Sequence, residues 1–237
     1  MKKMILMAIV VLMAAFSMNA KAQYVVGNFY DQNGVSGIIC YVDQTGQHGY
    51  VMSLDAATTG KKRNKPIPWA KDKKFAVANS PQCYDEDDGM NNMKKVEDYI
   101  TSNNLTWDCF PLFEWARSLG EGWYIPAKNE METIIKAMNG GSLEGFNSEN
   151  WEIYNSNAKL KKGVSFFYLD GHLASFLTST EAQGDNTNSV YQMFMVQKFG
   201  NAILQNHVGG YQKGNFKMIT SSKTFLSGTF SRAIHKF

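Results

Sequence analysis

The chain has 237 residues, 44% hydrophobic and 19% charged, with 24 Lys+Arg against 21 Asp+Glu. That is enough chain to bury a sizeable core without disulfides. The near-balance of charge gives no support for nucleic-acid or membrane-surface binding.

At the start, Lys2 and Lys3 precede a continuous apolar run from Met4 to Phe16, and Ala20-Lys21-Ala22 follows. A short positive region, an apolar stretch below spanning length and small residues at −3 and −1 together predict a secretory signal over residues 1–22. The mature chain, 23–237, then reads as one domain exported to the periplasm, the cell surface or the medium, with no remaining membrane span. Three lysines leave with the signal and no acid does, so the mature balance is 21 against 21.

"YVVGNFY", "VSGIICYV" and "YVMSL" read as a three-strand β-meander, with Asn33-Gly34 as its first tight turn. Next comes a basic excursion from Thr58 to Lys74. Lys61, Lys62, Arg63 and Lys65 with Trp69 form a candidate polyanion patch, and the alternative is a solvated excursion that Trp69 anchors to the body. The acidic run Tyr84 to Gly89 lacks EF-hand spacing, since Tyr84 and Lys95 fall on the first and twelfth ligand positions. It reads as a solvated charge run or a partner for the basic stretch.

Two or three helices are predicted next. "NNMKKVEDYI" places Met93, Val96 and Ile100 on one face, with Asn91 or Asn92 as cap. "PLFEWARSLG" opens on Pro111 and closes on Gly120, with Leu112, Trp115, Ala116 and Leu119 as its stripe. The third begins at Pro126 or Ala127, carries Met131, Ile134, Ile135 and Met138, and ends at Asn139-Gly140-Gly141. Trp123 to Ile125 is the extended link between the last two, and Glu130 reads as a structural carboxylate in a first turn.

Residues 141–162 read as an irregular segment with Trp151 and Tyr154 embedded. "VSFFYL", "SFLTSTE", "VYQMFMVQKF", "NAILQ", "FKMIT" and "SRAIHKF" then read as strands, with a hairpin at Gly200-Asn201. Strands, helices, then strands make an α+β class. Of three mature cysteines, Cys83 and Cys109 form a possible disulfide and Cys40 a buried hydrophobe. No metal spacing and no cofactor motif occurs.

Three ordered segments resemble bacterial C-type lectin-like domains, such as the C-terminal domains of collagen-like adhesins. They are "GWYIPAKNEM", "SFLTSTEAQGDNTNSVYQMFM" and "FSRAIHKF". The resemblance implies a C-type lectin-like fold of antiparallel sheets and helices with paired N- and C-terminal strands. Trp123, Pro126 and Glu130 are then framework positions, and Ser179, Thr180 and Glu181 mark a core strand end. Leu177-Thr178 replaces the family's usual Trp-Ser, and Ala127 its capping Ser/Thr. The triplets that hold calcium and sugar in animal C-type lectins are absent, so calcium-dependent binding does not carry over.

The expected role is a non-catalytic module for a glycan or an extracellular protein, with Trp151, Tyr154, Asp185, Asn186 and Asn188 as candidate contacts. A structural subunit of an extracellular assembly is the alternative. A hydrolase would need a pairing such as Cys40 with His48, or Asp170 with His172.

Overall fold

The computed structural model describes residues 24–59, 65–76, 81–145, 147–162, 175–183, 188–196, 198–199, 202–203, 215–224 and 231–237. The predicted signal, Lys61, Lys62, Arg63, Asp170, His172, Asp185, Asn186, "VSFFYL" and the Gly200-Asn201 turn lie outside them.

The expected meander is present as β1 (Phe29–Gln32), β2 (Val35–Val42) and β3 (Gly49–Ser53), paired antiparallel in that order. Asn33 and Gly34 both take positive φ, 53° and 80°, which is the twist-matched geometry of a type I′ hairpin. The last strand, β9 (Ile234–Lys236), adds to β3 in the register Tyr50↔Lys236, Val51↔His235 and Met52↔Ile234. The end of the chain therefore closes the N-terminal sheet, in the order β1-β2-β3-β9. Phe237 locks the closure, its ring centroid 4.6 Å from Tyr24 and 5.0 Å from Tyr30.

A second antiparallel sheet runs β4-β5-β8. It consists of β4 (Phe176–Glu181), β5 (Ser189–Val196) and β8 (Asn215–Ser222), and every residue of β4 is buried. Between β5 and β8, β6 (Lys198–Phe199) and β7 (Ala202–Ile203) pair antiparallel, as the hairpin reading anticipated. The architecture is thus α+β with antiparallel sheets.

Four α-helices are described: α1 (Gly89–Ser102), α2 (Pro111–Ser118), α3 (Lys128–Met138) and α4 (Ser148–Lys162). Helix α3 fits its sequence stripe closely. Met131, Ile134, Ile135 and Met138 are all fully buried, and the helix lies against β2 and the second sheet. Four such side chains contribute roughly 6–12 kcal/mol as an upper bound on transfer from water. Helix α1 starts earlier than expected. Its cap is Asp88, whose carboxylate accepts from the Met90 and Asn91 N–H groups, and not Asn91 or Asn92. In α2 the buried face is Leu112, Phe113 and Ala116, while Trp115 and Leu119 are half-buried at its edge.

The segment 141–162 is corrected from irregular to largely helical. Asn147 opens α4 by accepting from the Asn150 N–H at 3.3 Å. Trp151, Tyr154 and Ala158 are the buried side of that helix. The disulfide is corrected as well: Cys40, Cys83 and Cys109 are all buried and free. Cys83 is tied into another site, its Sγ–H donating to the Asn92 carbonyl at 3.3 Å and its N–H to Glu181 Oε1 at 3.2 Å. No helix among the described residues is long and apolar enough to cross a membrane.

Candidate ligand cleft

The stretch Trp123 to Glu130 is a structural junction. Tyr124 makes a two-bond bridge to Ile234, its N–H donating to the Ile234 carbonyl at 3.0 Å and its carbonyl accepting at 2.8 Å. The corner thereby becomes one more rung beyond β9. Glu130 is buried beside it and ties three elements together. Its Oε2 accepts from the Gly89 and Ala127 N–H groups, both at 2.9 Å, and its Oε1 accepts from the Tyr124 hydroxyl at 2.8 Å. One carboxylate thus satisfies orphan amides at the starts of both α1 and α3. Burial, the largest influence, raises the Glu130 pKa above the usual carboxyl range, against those donors and Lys236.

Ala127 has no oxygen with which to cap α3. Thr180 supplies the missing acceptor from β4, its Oγ1 lying 3.0 Å from the Lys128 nitrogen. The same hydroxyl donates to the Asp85 carbonyl at 2.8 Å, and Asn92 Nδ2 donates to that carbonyl and to Ser179 Oγ. These bonds hold the acidic run against β4 and α1. Its partners are Asn91 for Asp85, Lys128 for Glu86, Asn129 for Asp87 and Lys236 for Asp88. No group of three metal-ligating side chains occurs among the described residues.

Of the expected site residues that are described, Trp151 and Tyr154 come together, ring centroids 5.7 Å apart, and Asn188 lies away from them. Trp151 and Tyr154 are 3% and 5% exposed, which corrects their assignment as ligand contacts. Trp151 Nε1 donates to Asn139 Oδ1 at 3.1 Å and the Tyr154 hydroxyl to the Met138 carbonyl at 2.9 Å, so both close the C-terminal end of α3. Asn188 is exposed at the far end of the second sheet. Trp151 packs on Phe216, six residues along β8 from Ser222, the partner of Ser189. That separation is about 20 Å at the rise of an antiparallel strand.

The polyanion patch is corrected at its aromatic member. Trp69 is fully buried, edge-on to Phe110 at 5.7 Å and Phe113 at 5.0 Å, and anchors the excursion as the alternative reading had it. Backbone bonds from Ala70 N–H to the Lys223 carbonyl and from Lys71 N–H to the Cys109 carbonyl fix it there. Lys65 is exposed. The Cys40 thiol is fully buried, donates to the Tyr50 carbonyl at 3.2 Å and has its pKa pushed well up by desolvation, whereas His48 is exposed. A thiol so placed is inert as a nucleophile.

A cleft of about 780 Å³ opens elsewhere, where none of the sequence candidates lies. One wall is built by Asp88 and by α1 residues Met90, Asn91, Met93, Lys94 and Glu97. The other is built by Trp107, by Arg117 at the end of α2, and by Gly120 to Trp123. Trp107 is half-buried, and the Arg117 guanidinium carbon sits 4.1 Å from its ring centroid. Gly120 at φ 125° and Gly122 at φ 80° turn the chain between α2 and the Tyr124 rung. A Cβ at Gly122 would lie 2.4 Å from His235 Nε2, so this close approach to β9 requires glycine.

The charged lining groups divide by their commitments. Lys94 pairs with Asp98 at 3.2 Å, and Asp88 caps α1 and faces Lys236 at 3.7 Å. Glu97, Arg117 and Glu121 make no ion pair or side-chain hydrogen bond among the described residues, and all three are exposed. Arg117 and Glu121 are four apart, a spacing that would pair them on a continuous helix. The helix stops at Ser118, and the turn at Gly120 separates them. The cleft therefore presents an aromatic surface with open polar groups of both signs. No protein-family model, no curated protein and no solved structure matches this chain.

Proposed function

We propose that this chain is an exported, non-catalytic recognition module with a C-type lectin-like fold, and that its ligand is a glycan held in the α1–Trp107–Arg117 cleft. The cleft carries the proposal. It places a half-buried tryptophan beside open carboxylates and a guanidinium. Sugars are bound by apolar contact to aromatic surfaces and by planar polar side chains that reach hydroxyl groups.

The fold assignment is supported by the closure of the chain's two ends into one sheet and by the Trp123–Pro126–Glu130 junction packing as framework. Export rests on the Lys2 to Ala22 signal pattern. The test is a glycan array with the purified chain 23–237, run with calcium and with chelator. Binding that survives chelator, disappears in Trp107→Ala and persists in the folded core variant Trp151→Phe supports the site. Silence across neutral, acidic and amino sugars refutes the glycan ligand.

A further inference from the structure

We propose that the cleft selects a zwitterionic glycan, one that carries both a free amine and a carboxylate on neighbouring sugar units. This inference rests on the cleft being the binding site and adds the ligand's charge pattern.

Lys94 is committed to Asp98, and Asp88 to the start of α1 and to Lys236. Arg117 lies over the Trp107 ring, and no carboxylate engages it among the described residues. Stacking holds the guanidinium in place, and its planar fork matches a carboxylate bidentately. Glu97 and Glu121 remain as open acceptors on the two walls.

A neutral sugar can meet these groups with hydroxyls alone. A uronate satisfies Arg117 and faces two uncompensated carboxylates, whereas an amino sugar satisfies the carboxylates and leaves the guanidinium unmatched. Only a ligand bearing both signs pairs every open group, and charge-assisted bonds exceed neutral ones. The same layout repels the alternatives, because each singly charged ligand meets a like charge in the cleft.

The experiment uses four forms of one backbone. The probe is an N-unsubstituted glucosamine–glucuronic acid oligosaccharide. It is compared with its N-acetylated form, its carboxyl-reduced form and the form carrying both changes. Titration calorimetry on the mature chain at low salt reads all four. The expected result is tightest binding by the zwitterion, with a loss of about tenfold for each single modification. Arg117→Gln is expected to erase the penalty of carboxyl reduction alone. Glu97→Gln with Glu121→Gln is expected to erase the penalty of N-acetylation alone.

Equal binding of all four forms, or an unchanged preference in Arg117→Gln, overturns the charge pattern while leaving the glycan site standing. Failure of every form to bind, together with a silent array, overturns both. An unchanged circular dichroism spectrum and urea midpoint mark each variant as folded.

Discussion

Removing the Glu130 carboxylate should unfold much of the junction that holds the cleft's walls. In Glu130→Ala, the Gly89 and Ala127 N–H groups and the Tyr124 hydroxyl all lose their acceptor. Tyr124 and Ala127 are fully buried, so water cannot replace it without a cavity opening. Each buried unsatisfied donor costs about 1–3 kcal/mol, and relief from burying a charged group offsets part of that sum. The expected net loss is about 3–5 kcal/mol, a large share of the stability of an ordinary domain.

Glu130→Gln keeps an amide oxygen for the two N–H groups and should cost roughly 1–2 kcal/mol. Its pH dependence provides a sign test. Burial raises the pKa of Glu130 in the folded protein. Its proton-linked contribution is therefore fully present below the unfolded pKa and is lost as pH rises through the folded one. The deficit of Glu130→Gln relative to wild type should accordingly shrink between pH 4 and pH 7. Urea unfolding followed by tryptophan fluorescence reads both variants. An Ala variant within 1 kcal/mol of wild type, or a Gln deficit that widens with pH, would refute the reasoning.

Three further outcomes follow from the interior. Lys223 and Glu181 form a fully buried pair at 2.7 Å, with the ammonium 4.9 Å from the Trp69 ring. Lys223→Met should cost about 3–5 kcal/mol by leaving the carboxylate without its cation, and adding Glu181→Gln should recover part of the loss in the same urea assay. Gly27 has φ 93°, and a Cβ there would stand 2.3 Å from Tyr154 Cε1, so Gly27→Ala should lower the melting temperature by several degrees. The three buried free thiols should resist an aromatic disulfide reagent in the native protein and react in full after denaturation; a reduction-dependent count in denaturant would contradict free cysteines.

The parts of the fold legible in the sequence are those whose signal is local. Met131, Ile134, Ile135 and Met138 mark one face of α3 because they repeat at helical spacing. Asn33-Gly34 announces a hairpin because few other pairs tolerate two positive φ angles. Helix α4 escaped for a related reason. Among its described side chains the buried ones are Trp151, Tyr154 and Ala158, set among Asn, Ser and Lys residues of low helical or apolar character. The stripe is supported from outside the helix, by Asn139, the Met138 carbonyl and Phe216. Tertiary contacts supply what propensity lacks. The cap of α3 is a similar case, since Thr180 comes from β4, 52 residues away in sequence.

The cleft was the least legible part, and the reason is geometric. Its walls come from α1, the Trp107 turn, the end of α2 and the link to Tyr124, and no single segment carries its pattern. Trp151 and Tyr154 carry the functional reading because aromatics beside amides resemble a sugar site, yet both rings are buried and their polar atoms are spent on Asn139 and the Met138 carbonyl. A sequence signal for this cleft does exist in the four-residue spacing of Arg117 and Glu121 across Gly120. A pair that a helix would join is parted by a glycine at φ 125°, which leaves two charges open where the fold could have neutralised them. An exposed pair between them would contribute up to about 1 kcal/mol, comparable to the cation–π contact Arg117 makes with Trp107. The guanidinium rests on Trp107 within the cleft, the arrangement on which the proposed binding role depends.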